Sequence, residues 1–288
     1  MRPVILNGNN LVKNSFYNDT YKYKFPVDAA FKDVQMALNN LSIYYSWDNI
    51  TSANSSSEYN NNEFKYKWID DIEYSVLLPD GIYEYEDIFK YFQFVMINNG
   101  HYLVDNLGKN VYFLDMLVDN VYYSIMINVY PVPTALPLGW TNPAGMTFPP
   151  TNISPQLIIL PSNNFGKVIG FSDGIYPTTP SPIVYSVLSD LIPEISPVVS
   201  LIMTCSIISN KYSNPPTLLY TFPFTNYKSG DLIEVNPAAQ LLWIPVSDGK
   251  YQDFEIQFLD QNLNKVRIRD TNICMNLVFG KITGEILK

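Results

Sequence analysis

Few side chains in this sequence have the types and spacing that do chemistry. The one histidine, His101, follows Asn98-Asn99-Gly100, where a locally satisfied loop histidine is a plainer reading than a general base. A hydrolytic triad would have to bring that imidazole together with a nucleophile and an acid from elsewhere in the chain. Zinc needs several Cys or His ligands at short spacing, and one histidine with the distant thiols of Cys205 and Cys274 does not supply them. Neither a Gly-x-x-x-x-Gly-Lys-Ser/Thr loop for phosphates nor a Gly-x-Gly-x-x-Gly fingerprint is present. Carboxylates remain, since a glycosidase needs only two of them. Asp70, Asp71 and Glu73 lie near a strand start, and Glu84, Glu86 and Asp87 precede a helix. A turn and a helix cap account for the two groups. The expectation is a structural protein with no catalytic residue, no cofactor and no metal.

Charge narrows the partners. Gripping a phosphate backbone takes clustered Lys and Arg, whereas this chain has a formal net charge of −9, and its arginines are Arg2, Arg267 and Arg269. The basic cluster Lys265, Arg267 and Arg269 alternates with apolar residues and reads as the solvated face of a strand. A minor contact of that cluster with packaged genome or an acidic partner is the sharper alternative. Two cysteines are too few for a disulfide framework and suit a reducing compartment. Residues 1–13 lack the apolar core of a secretory signal. The longest apolar stretch, residues 195–208, is broken by Pro197 and falls short of the roughly 18 residues that span a bilayer. No membrane insertion is expected.

The elements that must carry these residues are mostly strands. Aromatic residues make up 15% of the chain, with 22 Tyr and 16 Phe, and such side chains fit a pleated, half-buried surface. Tyr21, Tyr23 and Phe25 alternate with lysines until Pro26, and Leu41, Ile43 and Tyr45 share one face of a second run. Phe64, Tyr66 and Trp68 mark a third strand, after a polar Asn/Ser-rich stretch over 48–62 that reads as a long exposed loop. Residues 72–78 extend the pattern up to the turn Pro79-Asp80-Gly81. Ile88, Phe89, Phe92, Val95 and Met96 then recur at helical spacing, which predicts a helix over 84–98 stopped by Gly100. Further strands are expected over 111–114, 122–130, 198–208, 218–223, 241–246, 254–259 and 272–279. More than half of the 21 prolines fall between Pro131 and Pro197, so that region is expected to hold loops and edge strands, with 156–160 and 184–188 as its ordered pieces.

Strands without intervening helices exclude a parallel α/β fold. The expected fold class is all-β: a single jelly roll of two antiparallel sheets with long loops and one short helix. The expected organisation is an N-terminal arm over 1–19 and one jelly-roll domain over 20–288, with a Pro-rich loop or insertion at about 131–197. Surplus aromatic surface suits an assembling subunit. A jelly-roll carbohydrate- or receptor-binding viral head is the alternative, and a glycosidase acting through Asp70, Asp71 or Glu73 is the third class.

One set of segments adds to this reading. It runs from Ile43-Tyr44-Tyr45-Ser46-Trp47 and Asn49-Ile50-Thr51 through residues 59–68 to Leu78-Pro79-Asp80-Gly81-Ile82-Tyr83. It continues with Asp87-Ile88, Met96, Asn99-Gly100-His101-Tyr102-Leu103, residues 120–128, 165–171 and 258–277. In their order and spacing these segments resemble the penton, or minor capsid, proteins of virophages and Polinton-like viruses. The resemblance implies a jelly roll that forms a homopentamer at the fivefold vertices of an icosahedral capsid, beside a double-jelly-roll major capsid protein. It also implies residence in the virion after synthesis in the host cytoplasm, and it carries over no catalytic residues.

Overall fold

Wherever apolar and polar side chains alternate along the chain, a strand forms, because alternation gives a pleated ribbon one face for a core and one for water. The structure, a computed structural model, describes residues 2–13, 17–54, 59–148, 151–224, 226–237 and 240–281. Strands β1 (Arg2–Leu6), β2 (Thr20–Phe31) and β3 (Val34–Tyr44) come first. Then follow β4 (Glu63–Lys67), β5 (Glu73–Leu77), helix α1 (Tyr85–Asn99), β6 (Leu103–Val104) and β7 (Asn110–Val111). Next are β8 (Leu114–Asp119), β9 (Ser124–Val129), β10 (Gln156–Ile159), helix α2 (Phe165–Ile169), β11 (Gly174–Tyr176) and β12 (Tyr185–Leu188). The last group is β13 (Ser200–Cys205), β14 (Leu218–Pro223), β15 (Leu232–Val235), β16 (Ile244–Pro245), β17 (Gly249–Asp260) and β18 (Cys274–Lys281). They fall into two units, Met1–Asp48 with Val198–Lys288, and Asn49–Pro197.

The first unit has two antiparallel sheets, ordered β1-β18-β3-β15 (with β16 also on β3) and β14-β13-β17-β2. Setting the two-residue β16 aside, its eight strands pair first with last, second with seventh, third with sixth and fourth with fifth. That nesting is one long antiparallel hairpin rolled over on itself, a jelly roll. Alternation fills its interior: Phe254, Ile256 and Phe258 on β17, Leu201 and Met203 on β13, and Met275 and Leu277 on β18 are all buried. Phe279 of one sheet meets Phe31 at 5.2 Å and Phe254 at 6.1 Å on the other, ring centroid to ring centroid. Burying Phe254 and Phe279 contributes about 1.5–3 kcal/mol each. Pro26 does not end β2 as the sequence suggested. β2 is an edge strand whose register against β17 breaks between Tyr251 and Asp253, so the missing proline N–H costs no ladder bond.

The second unit holds the sheets β11-β10-β4-β5 and β12-β9-β8 and the pair β6-β7. Its core gathers Phe64, Tyr66, Phe92, Phe165 and Phe171 with aliphatic neighbours, all between Ile50 and Phe171. Helix α1 turns Ile88, Phe89, Phe92 and Met96 into it. Asp87 Oδ2 accepts the Glu84 N–H at 3.1 Å at one end, and Gly100 at φ 73 closes the other.

Several expectations are corrected here. The arm over 1–19 includes a strand, β1, paired along its length with β18. The jelly roll does not run through 20–288: the chain leaves it after Asp48 and returns at Val198, so the insert is far larger than 131–197. Among the described residues of that region prolines sit outside the strands; Pro155 and Pro161 flank β10, which is buried in mid-sheet between β11 and β4. A second helix, α2, is present, and Tyr122 and Tyr123 belong to a turn rather than a strand. The stretch 48–62 is not an exposed loop: Asp48, Asn49, Thr51, Asn61 and Asn62 are buried. Asn49 Nδ2 donates to Tyr83 O at 2.8 Å and Ile195 O at 2.9 Å, and Asn61 Nδ2 donates to Asn49 O at 2.9 Å. Buried amides are tolerated when their partners are supplied this fully. Residues 55–58 of the stretch lie outside the described residues.

Candidate functional site

Of the carboxylates singled out in the sequence, Asp70, Asp71, Glu73, Glu84 and Asp87 are occupied locally. Asp70 Oδ1 accepts the Ile72 N–H at 3.0 Å and its Oδ2 accepts the Tyr74 hydroxyl at 2.7 Å. Asp71 is paired with Lys67, and Glu73 with Lys65 at 3.2 Å across the β4–β5 ladder. Glu84 and Asp87 form the N-terminal cap of α1, with Glu86 in its first turn. These contacts are those of a turn, a strand pair and a helix end.

His101 is buried, and four residues from β4 and its continuation, β5 and α1 surround it. Its ring stacks on Trp68 at 4.5 Å and 7°, and Tyr74 meets it edge-on at 4.5 Å. Tyr66 Oη lies 2.8 Å from Nδ1 and accepts a hydrogen bond from Asn99 Nδ2 at 2.9 Å. Burial pushes the imidazole down to about 4, only partly opposed by the Asp70 carboxylate. Tyr66 and Tyr74 are both raised, first by burial.

One motif escaped the reading of the sequence. Gly170-Phe171-Ser172-Asp173-Gly174 has the Gly-x-Ser-x-Gly spacing of a nucleophile elbow. An elbow needs a strand before the serine and a helix after it; here α2 precedes Ser172 and β11 follows it. Ser172 Oγ donates to Asp190 Oδ2 at 2.5 Å, and Asp190 Oδ1 accepts the Ser172 N–H at 3.0 Å. The serine hydroxyl, which holds the Asp190 carboxyl below its usual range, is bonded to an acid and not to His101. This is a turn clasp rather than an activated nucleophile.

The basic cluster alternates as expected, with Val266 and Ile268 buried and Lys265 and Arg269 exposed, but it makes only isolated bridges to Leu259 and Trp47. Its arginines are committed inward. Arg267 Nη1 and Arg269 Nε reach the two oxygens of Asp48 at 3.2 and 2.7 Å, and that carboxylate is 0% exposed. Lys265 lies 5.6 Å from the centroid of Tyr17. No local pattern could reveal the clamp, since Asp48 is more than 200 residues away in sequence. Among the described residues no group of three or more His, Cys, Asp or Glu is placed to hold a metal.

What the surface offers instead is apolar. At the β8–β9 tip, Val121, Tyr122 and Tyr123 are 85, 71 and 74% exposed. Asp119 Oδ1 fixes that tip by accepting the Val121 and Tyr122 N–H groups at 2.9 and 3.1 Å. Tyr123 sits at φ 51, a left-handed conformation that a bulky residue adopts only when its surroundings enforce it. On the jelly roll, Val27 and Ile5 are exposed on edge strands. No helix among the described residues is long and apolar enough to cross a membrane.

No family model and no curated protein matches the chain. Among solved structures it is similar to the mavirus penton protein, at 8% identity and a TM-score of 0.45 over 91% of each chain. It is also similar to a chain of the Sputnik virophage, at 11% identity and a TM-score of 0.35 over 91% of this chain and 98% of that one.

Proposed function

We propose that this chain is a structural capsid protein of the penton type, forming homopentamers at the fivefold vertices of an icosahedral, virophage-like shell. The observation that carries the reading is the nested eight-strand jelly roll of the first unit, an architecture that recurs in viral capsid domains. The order and spacing of the sequence segments that resemble pentons support it. So do the large apolar side chains left in water on both units, which a symmetric assembly would cover. In this reading the protein resides in the virion after synthesis in the host cytoplasm. Its neighbour is a double-jelly-roll major capsid protein, and it performs no catalysis. Light scattering and negative-stain imaging test it. Fivefold rings of about 165 kDa, five times 32.9 kDa, are expected for the protein alone, at neutral or lowered pH, or with the major capsid protein. Trimers as the sole assembled form would overturn it.

Jelly rolls also serve lectins, and the exposed rings of Tyr122 and Tyr123 favour a receptor- or carbohydrate-binding head as the second reading. Selective binding on a glycan array without ring formation would establish that reading in place of the first.

A further inference from the structure

His101 is the chain's one histidine, and its setting makes its protonation state a structural variable. The Tyr66 hydroxyl has two neighbours. Asn99 Nδ2 donates to its oxygen, which leaves the phenol's own proton to fill the 2.8 Å contact with His101 Nδ1 in the Nε2–H tautomer of the neutral ring. This chain of donors joins strand β4 to the C-terminal end of α1, where the His101 N–H also donates to Met96 O at 2.8 Å. We propose that His101 is an acid-sensitive latch: protonating Nδ1 reverses its bond with Tyr66 and releases the end of α1 from the β4–β5 hairpin.

The stereochemistry follows from the donor inventory. Once Nδ1 carries a proton, the Tyr66 oxygen must accept from both Asn99 and His101. Its own proton is then turned away from its former acceptor, on a side chain that is 0% exposed to water. The groups facing the imidazole do not compensate the new charge. From β4 and its continuation come Tyr66 and Trp68, from β5 Tyr74, and from α1 the neutral amide of Asn99. Asp70 is the one carboxylate acting on the ring, and its oxygens are already held by Tyr74 and the Ile72 N–H. The closed form takes up its proton only near pH 4, whereas a solvated imidazole does so near 6.5. Between those values the open form binds one proton more, so acidification favours opening by up to about tenfold per pH unit.

Hydrogen exchange of the full-length protein read by mass spectrometry tests this, with rates corrected for intrinsic pH dependence. Protection of peptides covering 96–104 should fall by up to roughly 100-fold between pH 6.5 and 4.5, while peptides of β17 in the jelly roll keep theirs. His101→Gln, which retains an acceptor and cannot ionise, should remove the effect. The same histidine gives one set of imidazole C–H resonances, so its titration can be followed in the unmodified protein even if the variant folds poorly. Loss of protection should begin below pH 6.5 while those resonances still report the neutral ring. Protection at 96–104 that stays level with β17, or a folded His101→Gln protein that opens like the wild type, would overturn the latch.

Discussion

At the scale of single residues, the polar groups that matter most are buried ones with distant partners. Asp48 is fully enclosed while its partners Arg267 and Arg269 keep 31 and 49% of their side-chain surface. Removing the carboxylate by Asp48→Ala leaves two guanidinium groups that can hydrate, so the cost should sit at the low end for a broken buried pair, about 3 kcal/mol in urea unfolding. The cysteines divide in the same way. Cys205 is buried and its thiol is pushed up to about 12 by burial, whereas Cys274 is exposed. Thiol titration should therefore find one reactive group per native chain and two after denaturation, since the thiolate is the reactive species. His101 belongs to this scale too, as a neutral ring whose cage penalises its charged form.

At the scale of elements, packing overrides local preference. Helix α2 is five residues long, and its Gly166 lies where an added Cβ would meet Phe171 O at 2.5 Å and Ile159 Cγ2 at 2.8 Å. Alanine is the better helix former by about 1 kcal/mol, yet Gly166→Ala should destabilise the second unit by about 2 kcal/mol, because the clash is with backbone that cannot swing away. Thermal unfolding followed by near-ultraviolet circular dichroism measures it; a more stable variant would contradict the packing. In α1 local preference and packing agree, and the sequence announced it through its helical spacing, its acidic start and Gly100. The five residues of α2, Phe165–Ile169, are too few for a helical period to declare itself.

At the scale of the whole molecule, the chain is a jelly roll carrying a folded insert. The insert's core is drawn from residues 50–171, and Asn49 Nδ2 bonds Ile195 O at 2.9 Å, so its two ends lie side by side. Residues 49–197 expressed alone should unfold cooperatively with native-like near-ultraviolet circular dichroism; a fragment with no cooperative transition would show that its core needs the jelly roll. Local pattern alone was enough for the strand-rich class, the faces of β2, β3 and β4 and the span of α1, because period and capping chemistry are local properties of the chain. Folding in three dimensions set the rest: that the insert starts at Asn49, that β1 closes a sheet with β18, that Asp48 binds the basic cluster and that Ser172 faces Asp190. Those outcomes join residues up to 277 positions apart, as in the pairing of Arg2 with Phe279. Strands of the jelly roll and of the insert carry the same alternation, and alternation specifies a buried face without naming the sheet that will bury it.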